Sequence, residues 1–310
     1  MNGCNHFFNN LKSLKKEFDC CLYIFINKYM EKTQCIICKD SKSSLLFQKA
    51  SGKGELFDVQ QCKKCKLEFV SPRPDVNEIN AYYEKEYFTQ RTDRGYNNYF
   101  SDEIRNEILR VLNLNLKDLG FFEYESTCDV DKYSLDIGCA AGYSVEFFHK
   151  RGWGATGIDV STDCVNFAQS KGLDVVEGDY LKWNNPTPRD VITMWATIEH
   201  LHYPHLFLDK IYSELKTGGM LYISTCRTGG INFKQLKKTD WRYYNVPEHL
   251  FYFSRKNLKK LLEQKGFAVT SYITYGSGTG EAHSKLRQSA DFMARHFKMG
   301  DMMLIGAQKK

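Results

Sequence analysis

No apolar run in this 310-residue chain approaches the roughly 18 residues that span a bilayer, which argues against a membrane-spanning helix. The run Cys20 to Ile26 is also short for a secretion-signal core and lacks a small-residue cleavage site. Long runs of one charge are missing too. The net charge of +6 fits an anionic small molecule without requiring one. Two phosphate cradles are absent. No Gly-Lys-Ser/Thr follows the small-residue loop at 138–142, so that loop is not a P-loop. The dinucleotide pattern G-x-G-x-x-G would need glycines at 138, 140 and 143, where the chain has Gly138, Ala140 and Tyr143.

What is present is a strand, a tight turn and a helix. The apolar run Tyr133 to Ile137 leads into Gly138-Cys139-Ala140-Ala141-Gly142, and a helical pattern follows from Tyr143 to Arg151. A second apolar run, Gly154 to Ile158, ends at Asp159, where a nucleoside-binding α/β unit places a carboxylate for ribose hydroxyls. The requirement is therefore a nucleoside cofactor without phosphates.

The block Leu135 to Gly142 resembles the first motif of the class I S-adenosylmethionine-dependent methyltransferases, departing from G-x-G-x-G at Ala140. The resemblance continues in order: Gly157 to Val160, Val175 to Asp179, a fourth strand at Asp190 to Trp195 followed by Glu199-His200-Leu201, and a turn at Leu215 to Leu221 into a fifth strand. Ser254 to Gly266 reads as a helix with a Ser N-cap, a Leu258/Leu261/Leu262 stripe and a terminal Gly, and Met302 to Ala307 as the last strand. The resemblance implies a Rossmann-like, seven-stranded α/β domain. It also implies S-adenosyl-L-methionine held by Asp136, Gly138, Cys139, Gly142, Asp159, Asp179 and Trp195, with Asp159 on the ribose and Asp179 toward the adenine.

Cys35-x-x-Cys38 and Cys62-x-x-Cys65 form two knuckles whose four thiolates would close a tetrahedral shell around a structural Zn²⁺. The intervening chain, Leu45 to Phe57, supplies the strands of a small ribbon. The remaining cysteines of the 11 show no paired spacing, and with no export signal the expected compartment is the reducing cytoplasm. After the ribbon come Leu67 to Pro74 with its Pro-Arg-Pro turn, then Tyr82-Tyr83 and Glu86-Tyr87-Phe88. This order resembles bacterial two-module methyltransferases with an N-terminal zinc segment, often of sugar, surface-polysaccharide or secondary-metabolite pathways. The expected division is an N-terminal extension (1–31), the zinc ribbon (32–75), a Tyr-rich helical linker or cap (76–125) and the methyltransferase domain (126–310).

Transfer to a hydroxyl needs a base beyond the ends of the fourth and fifth strands. His200 and His249 meet that requirement, and in related methyltransferases both segments line the acceptor site. The alternative for each is a structural place in the fold. Trp195, Trp241, Tyr243 and Tyr244 are either acceptor-pocket walls or core. Thr225-Cys226 resembles a nucleophile motif of RNA 5-methylcytosine methyltransferases, but its companion Pro-Cys is replaced by Trp195-Ala196-Thr197-Ile198. The expected reaction is methylation of a small molecule, a sugar or nucleotide-sugar hydroxyl. The rival readings are an RNA methyltransferase guided by the lysine-decorated ribbon, or a non-catalytic binding protein. The segment between the last two strands, 276–298, reads as a glycine-rich turn and a basic helix around Lys285, Arg287 and Arg295, suited to a lid or an oligomer contact.

Overall fold

Seven of the apolar runs enter one sheet, and a second, smaller sheet is built around the cysteine knuckles. The computed structural model describes residues 30–40, 42–82, 98–230, 238–276, 289, 292 and 294–310. The 1–29 part of the N-terminal extension, Tyr83, Glu86 to Phe88, Lys285 and Arg287 lie outside the described residues.

The first part holds β1 (Met30–Glu31), β2 (Ser43–Ala50), β3 (Leu56–Cys62), β4 (Glu68–Val70) and β5 (Arg73–Pro74). β2, β3 and β4 form an antiparallel meander, and β3 runs directly into the second knuckle at Cys62. The Pro-Arg-Pro stretch is more than a turn, because Arg73 and Pro74 pair with Glu31 and Met30. Arg73 is buried there, held by the Glu31 carboxylate at 2.7 Å and the His202 carbonyl at 3.1 Å. A buried guanidinium needs such partners to offset lost hydration.

Two helices follow, α1 (Asp102–Asp118), N-capped by Ser101, and α2 (Phe121–Glu125). The α/β alternation then runs β6 (Tyr133–Ile137), α3 (Tyr143–His149), β7 (Gly154–Asp159), α4 (Thr162–Ser170), β8 (Val175–Glu177), β9 (Arg189–Trp195), α5 (Pro204–Glu214) and β10 (Leu215–Cys226). The chain closes with β11 (Phe251–Tyr252), α6 (Arg255–Gln264), β12 (Phe267–Tyr275) and β13 (Met302–Lys309). α6 has the expected Ser254 cap, and its reciprocal partner is Asn257.

The sheet order is β12-β13-β10-β9-β6-β7-β8, with β13 antiparallel to both neighbours and the inner strands parallel. Central strands of a parallel sheet bury nearly every residue, which is why β6 and β9 are apolar-rich without a regular polar alternation. Strand order reverses between β6 and β9. Ligands of open α/β sheets bind outside the carboxyl ends of strands at such a switch point. Among the described residues no helix is long and apolar enough to cross a membrane.

The ribbon shares its sheet with the larger domain. β11, between β10 and α6, pairs with β4, giving the order β11-β4-β3-β2. Behind this junction Phe57, Val59 and Val70 of the ribbon pack with Cys226, Trp241, Tyr244 and Tyr252. Trp241 and Tyr244 are therefore core residues, while Tyr243 is half-buried. Arg295, in the segment between β12 and β13, reaches the Asp118 carboxylate and, at 2.9 Å, Asn115 on α1.

Candidate functional site

The two knuckles repeat one turn. The Lys39 amide donates to the Cys35 carbonyl at 2.8 Å and the Lys66 amide to the Cys62 carbonyl at 3.0 Å, each lysine having a positive φ. The turns bring four Sγ atoms together, with Cys35–Cys38, Cys35–Cys65 and Cys38–Cys62 separations of 3.4, 3.3 and 3.4 Å. Four Zn–S bonds of about 2.3 Å in a tetrahedron set sulfurs roughly 3.8 Å apart, so the shell fits zinc with a small expansion. Burial raises the Cys35 thiol and pushes that of Cys65 up to about 11, whereas at Cys62 the amides of Cys65 and Lys64 and the Cys38 sulfur outweigh burial and bring the thiol down to about 7. A cation at the centre is what would ionise all four. An ionised thiolate is what the metal requires.

The loop expected to cradle the cofactor, with its neighbours, lies at the carboxyl ends of β6, β7, β8 and β9. Gly138 and Gly142 turn the loop at φ of +72° and +75°, a region that favours glycine. A Cβ on Gly138 would lie 2.6 Å from the Thr197 side chain, and one on Gly142 2.9 Å from Leu173. Asp159 holds the loop from the neighbouring strand, accepting the Ala140 amide at 2.8 Å and the Ser161 amide at 2.8 Å. Burial still raises its carboxyl above the ordinary range, against those amides. Asp136 is more deeply placed. It accepts the Thr193 hydroxyl at 2.6 Å, and burial pushes its carboxyl up to about 8. The Cys139 thiol is buried beneath the loop, where a Cβ on Gly157 would be 2.7 Å from its sulfur. Asp179 is half-buried just past β8 and accepts the Leu181 amide at 2.9 Å. Trp195 closes β9, its indole N–H donating to Ser144 at 3.0 Å.

His200 and His249 meet. Their rings are 4.6 Å apart and perpendicular, although they come from the loops after β9 and β10. His200 donates from Nδ1 to the Glu248 carbonyl at 2.8 Å, and His249 from Nδ1 to the Tyr243 carbonyl at 2.9 Å. A carbonyl only accepts, so both Nδ1 atoms are protonated and the neutral lone pair of each ring sits on Nε2. Buried Glu199 joins them: it and the two histidines each offer one polar atom within 4.8 Å of the others. The Cys226 sulfur lies 3.9 Å from His249 Nδ1, and complete burial, reinforced by the Glu199 charge, keeps it a thiol. It is not poised as a nucleophile.

Several residues around the cradle carry no motif of their own. Thr197 packs against the Gly138 turn, Thr193 holds Asp136, Ser144 orients Trp195, and Tyr143 donates to the Tyr99 carbonyl at 2.6 Å. Their one sequence signal is position, at strand ends or in the first turn of α3.

The family described as "Methyltransferase domain" matches residues 103–272, more than half of the chain. A ubiquinone biosynthesis O-methyltransferase of Colwellia psychrerythraea is 31% identical over 103 residues, 31% of this chain and 42% of that protein. The protein of the same name from Glaesserella parasuis is 33% identical over 130 residues, 38% of this chain and 51% of that protein. The chain thus spans about half, or less, of these curated relatives. A SAM-dependent methyltransferase structure from Archaeoglobus fulgidus aligns at a TM-score of 0.48 and 20% identity, covering 65% of this chain and 94% of that one. With the family match across 103–272 and the strand order of the sheet, the chain belongs to the methyltransferase-domain family, on the class I S-adenosylmethionine-dependent fold.

Proposed function

We propose that this protein transfers a methyl group from S-adenosylmethionine to a hydroxyl of a small molecule. The observation that carries the reading is the convergence of His200 and His249, in their Nε2-basic tautomers, from the loops after β9 and β10. When bound, the cofactor supplies an electrophilic methyl on a sulfonium. His249 holds the acceptor hydroxyl through Nε2 and takes its proton as the O–CH3 bond forms and the S–CH3 bond breaks. Glu199, within reach of both rings, stabilises the imidazolium that results. Asp136, Gly138, Cys139, Gly142, Asp159, Asp179 and Trp195 hold the cofactor. Cys35, Cys38, Cys62 and Cys65 hold zinc.

An oxygen acceptor is supported by the name of the curated relatives, O-methyltransferase. A sugar or nucleotide-sugar hydroxyl is the acceptor suggested by the order of zinc ribbon and catalytic domain. The test is incubation with methyl-labelled cofactor and a metabolite extract, followed by product mass. A labelled small-molecule ether that disappears with His249→Ala is expected. Label confined to RNA, or turnover unchanged in that variant, would overturn the reading.

A further inference from the structure

Glu68 is 4% exposed, and an acid in such a place is costly unless donors meet it. Two do: the Tyr244 hydroxyl, and the Gln61 amide at 3.1 Å. Glu68 belongs to the ribbon, three residues beyond Cys65. Tyr244 stands five residues before His249 in the loop that follows β10. Burial, and then the neighbouring carboxylate, raise the Tyr244 phenol above its ordinary range, so it remains a donor.

A backbone clamp runs beside this pair. Glu68 and Phe69 pair with Tyr252 and Phe251, and the Val70 amide donates to the Leu250 carbonyl at 3.0 Å. The Leu250 amide in turn donates to the Glu199 carbonyl at 2.8 Å, the residue before His200. Leu250 is therefore bonded to the ribbon through its C=O and to the His200 turn through its N–H. On the far side, Asn257 at the start of α6 donates to the carbonyl of Cys65 at 2.8 Å. The cofactor cradle, by contrast, hangs on β6, β7, β8 and β9, which among the described residues make no strand pairing with the ribbon.

We infer that Glu68, a ribbon residue, is a positioning residue for His249, acting through the Tyr244 hydroxyl and the β4–β11 ladder. This rests on His249 serving the acceptor side. The ribbon is thereby part of the acceptor site's geometry rather than an appended module. Disturbing Glu68 moves His249 and leaves the cofactor cradle where it is.

The experiment follows the His249 Cε1–Hε1 signal in zinc-loaded, full-length protein by NMR, assigned by its loss in His249→Gln. This signal reports the perpendicular His200 ring beside it. Tyr244→Phe removes only the hydroxyl, Glu68→Ala removes the acceptor, and Glu68→Gln keeps an acceptor oxygen for Tyr244. The new NH2 of Glu68→Gln is met by Gln61 turning its amide oxygen toward it. Tyr244→Phe and Glu68→Ala are expected to shift the signal beyond its line width, with Glu68→Gln staying near wild type. S-adenosylmethionine affinity by calorimetry should stay within about twofold throughout, under half a kcal/mol. An unmoved signal in the first two variants, Glu68→Gln behaving as Glu68→Ala, or cofactor affinity falling in parallel would each overturn the inference. No turnover is needed, so a failure of His249→Ala to affect methylation would be seen separately.

Discussion

The Asp159 carboxylate accepts the backbone N–H of Ala140 at 2.8 Å, joining the end of β7 to the loop after β6. Its other oxygen accepts the Ser161 amide, and a carboxylate has about four lone-pair sites, which leaves acceptor capacity for the ribose hydroxyls of the proposed cofactor. Asp159→Ala removes the tie that orders the loop and, on the proposed function, the ribose contacts as well. Hydrogen bonds to charged groups contribute about 1.5–3 kcal/mol each, so S-adenosylmethionine affinity should fall by roughly tenfold to a hundredfold. Calorimetry decides, and unchanged affinity would remove Asp159 from the cofactor site.

Gly138→Ala should damage the same loop for two separable reasons. The left-handed φ of +72° costs an L-residue about 1–2 kcal/mol, and the new methyl would meet Thr197 at 2.6 Å. Thr197→Ala in the same chain removes the atoms at 2.6 Å while leaving the φ cost. The double variant should therefore recover part, but not all, of the stability lost in Gly138→Ala, as read by denaturant unfolding. Full recovery would mean that the backbone carries no strain.

Much of this arrangement was legible in the sequence because each feature is local. A parallel strand buried on both faces is a short apolar run, and β6, β7 and β9 lie within a residue or two of where the runs predict them. The knuckles are legible for the same reason, since a C-x-x-C turn closes on itself. The ribbon's fourth strand was not legible. Phe251 and Tyr252 are two residues, too few for an alternation, and their partner β4 lies about 180 positions earlier. Trp241 and Tyr244 could be read as pocket walls or core, and only the β4–β11 contact makes them core. The pairing of His200 with His249 joins two separate loops, through the Leu250 amide on the Glu199 carbonyl and His200 on the Glu248 carbonyl.

Zinc should act on the ribbon and its junction before it acts on the cradle. In so small a module metal binding is folding energy, about 10–16 kcal/mol in zinc-finger peptides. Cys38→Ser takes one thiolate from the cluster, whose Cys38 and Cys62 sulfurs are 3.4 Å apart. Wild-type protein should carry one zinc per chain by atomic emission, the variant far less. Its thermal midpoint should fall while S-adenosylmethionine still binds. A variant that keeps its midpoint after losing zinc would show that the metal has no part in holding the ribbon.

Stability should decline with rising pH where Asp136 titrates. Burial pushes its carboxyl up to about 8 in the folded protein, against an ordinary value of 3.8. Between those limits the folded state holds a proton that the unfolded chain has released. Each pH unit of increase therefore removes up to about 1.4 kcal/mol of stability, and the loss is complete once pH passes the folded value. Below about pH 4 both states are protonated and the group contributes no slope. Asp136→Asn retains an acceptor for the Thr193 hydroxyl, which donates at 2.6 Å, and carries no proton to lose. Denaturant unfolding from pH 5 to 8 should show the variant gaining on the wild type by on the order of 3 kcal/mol as pH rises. Parallel curves across that window would mean that Asp136 is ionised in the folded protein, with its charge met inside the cradle.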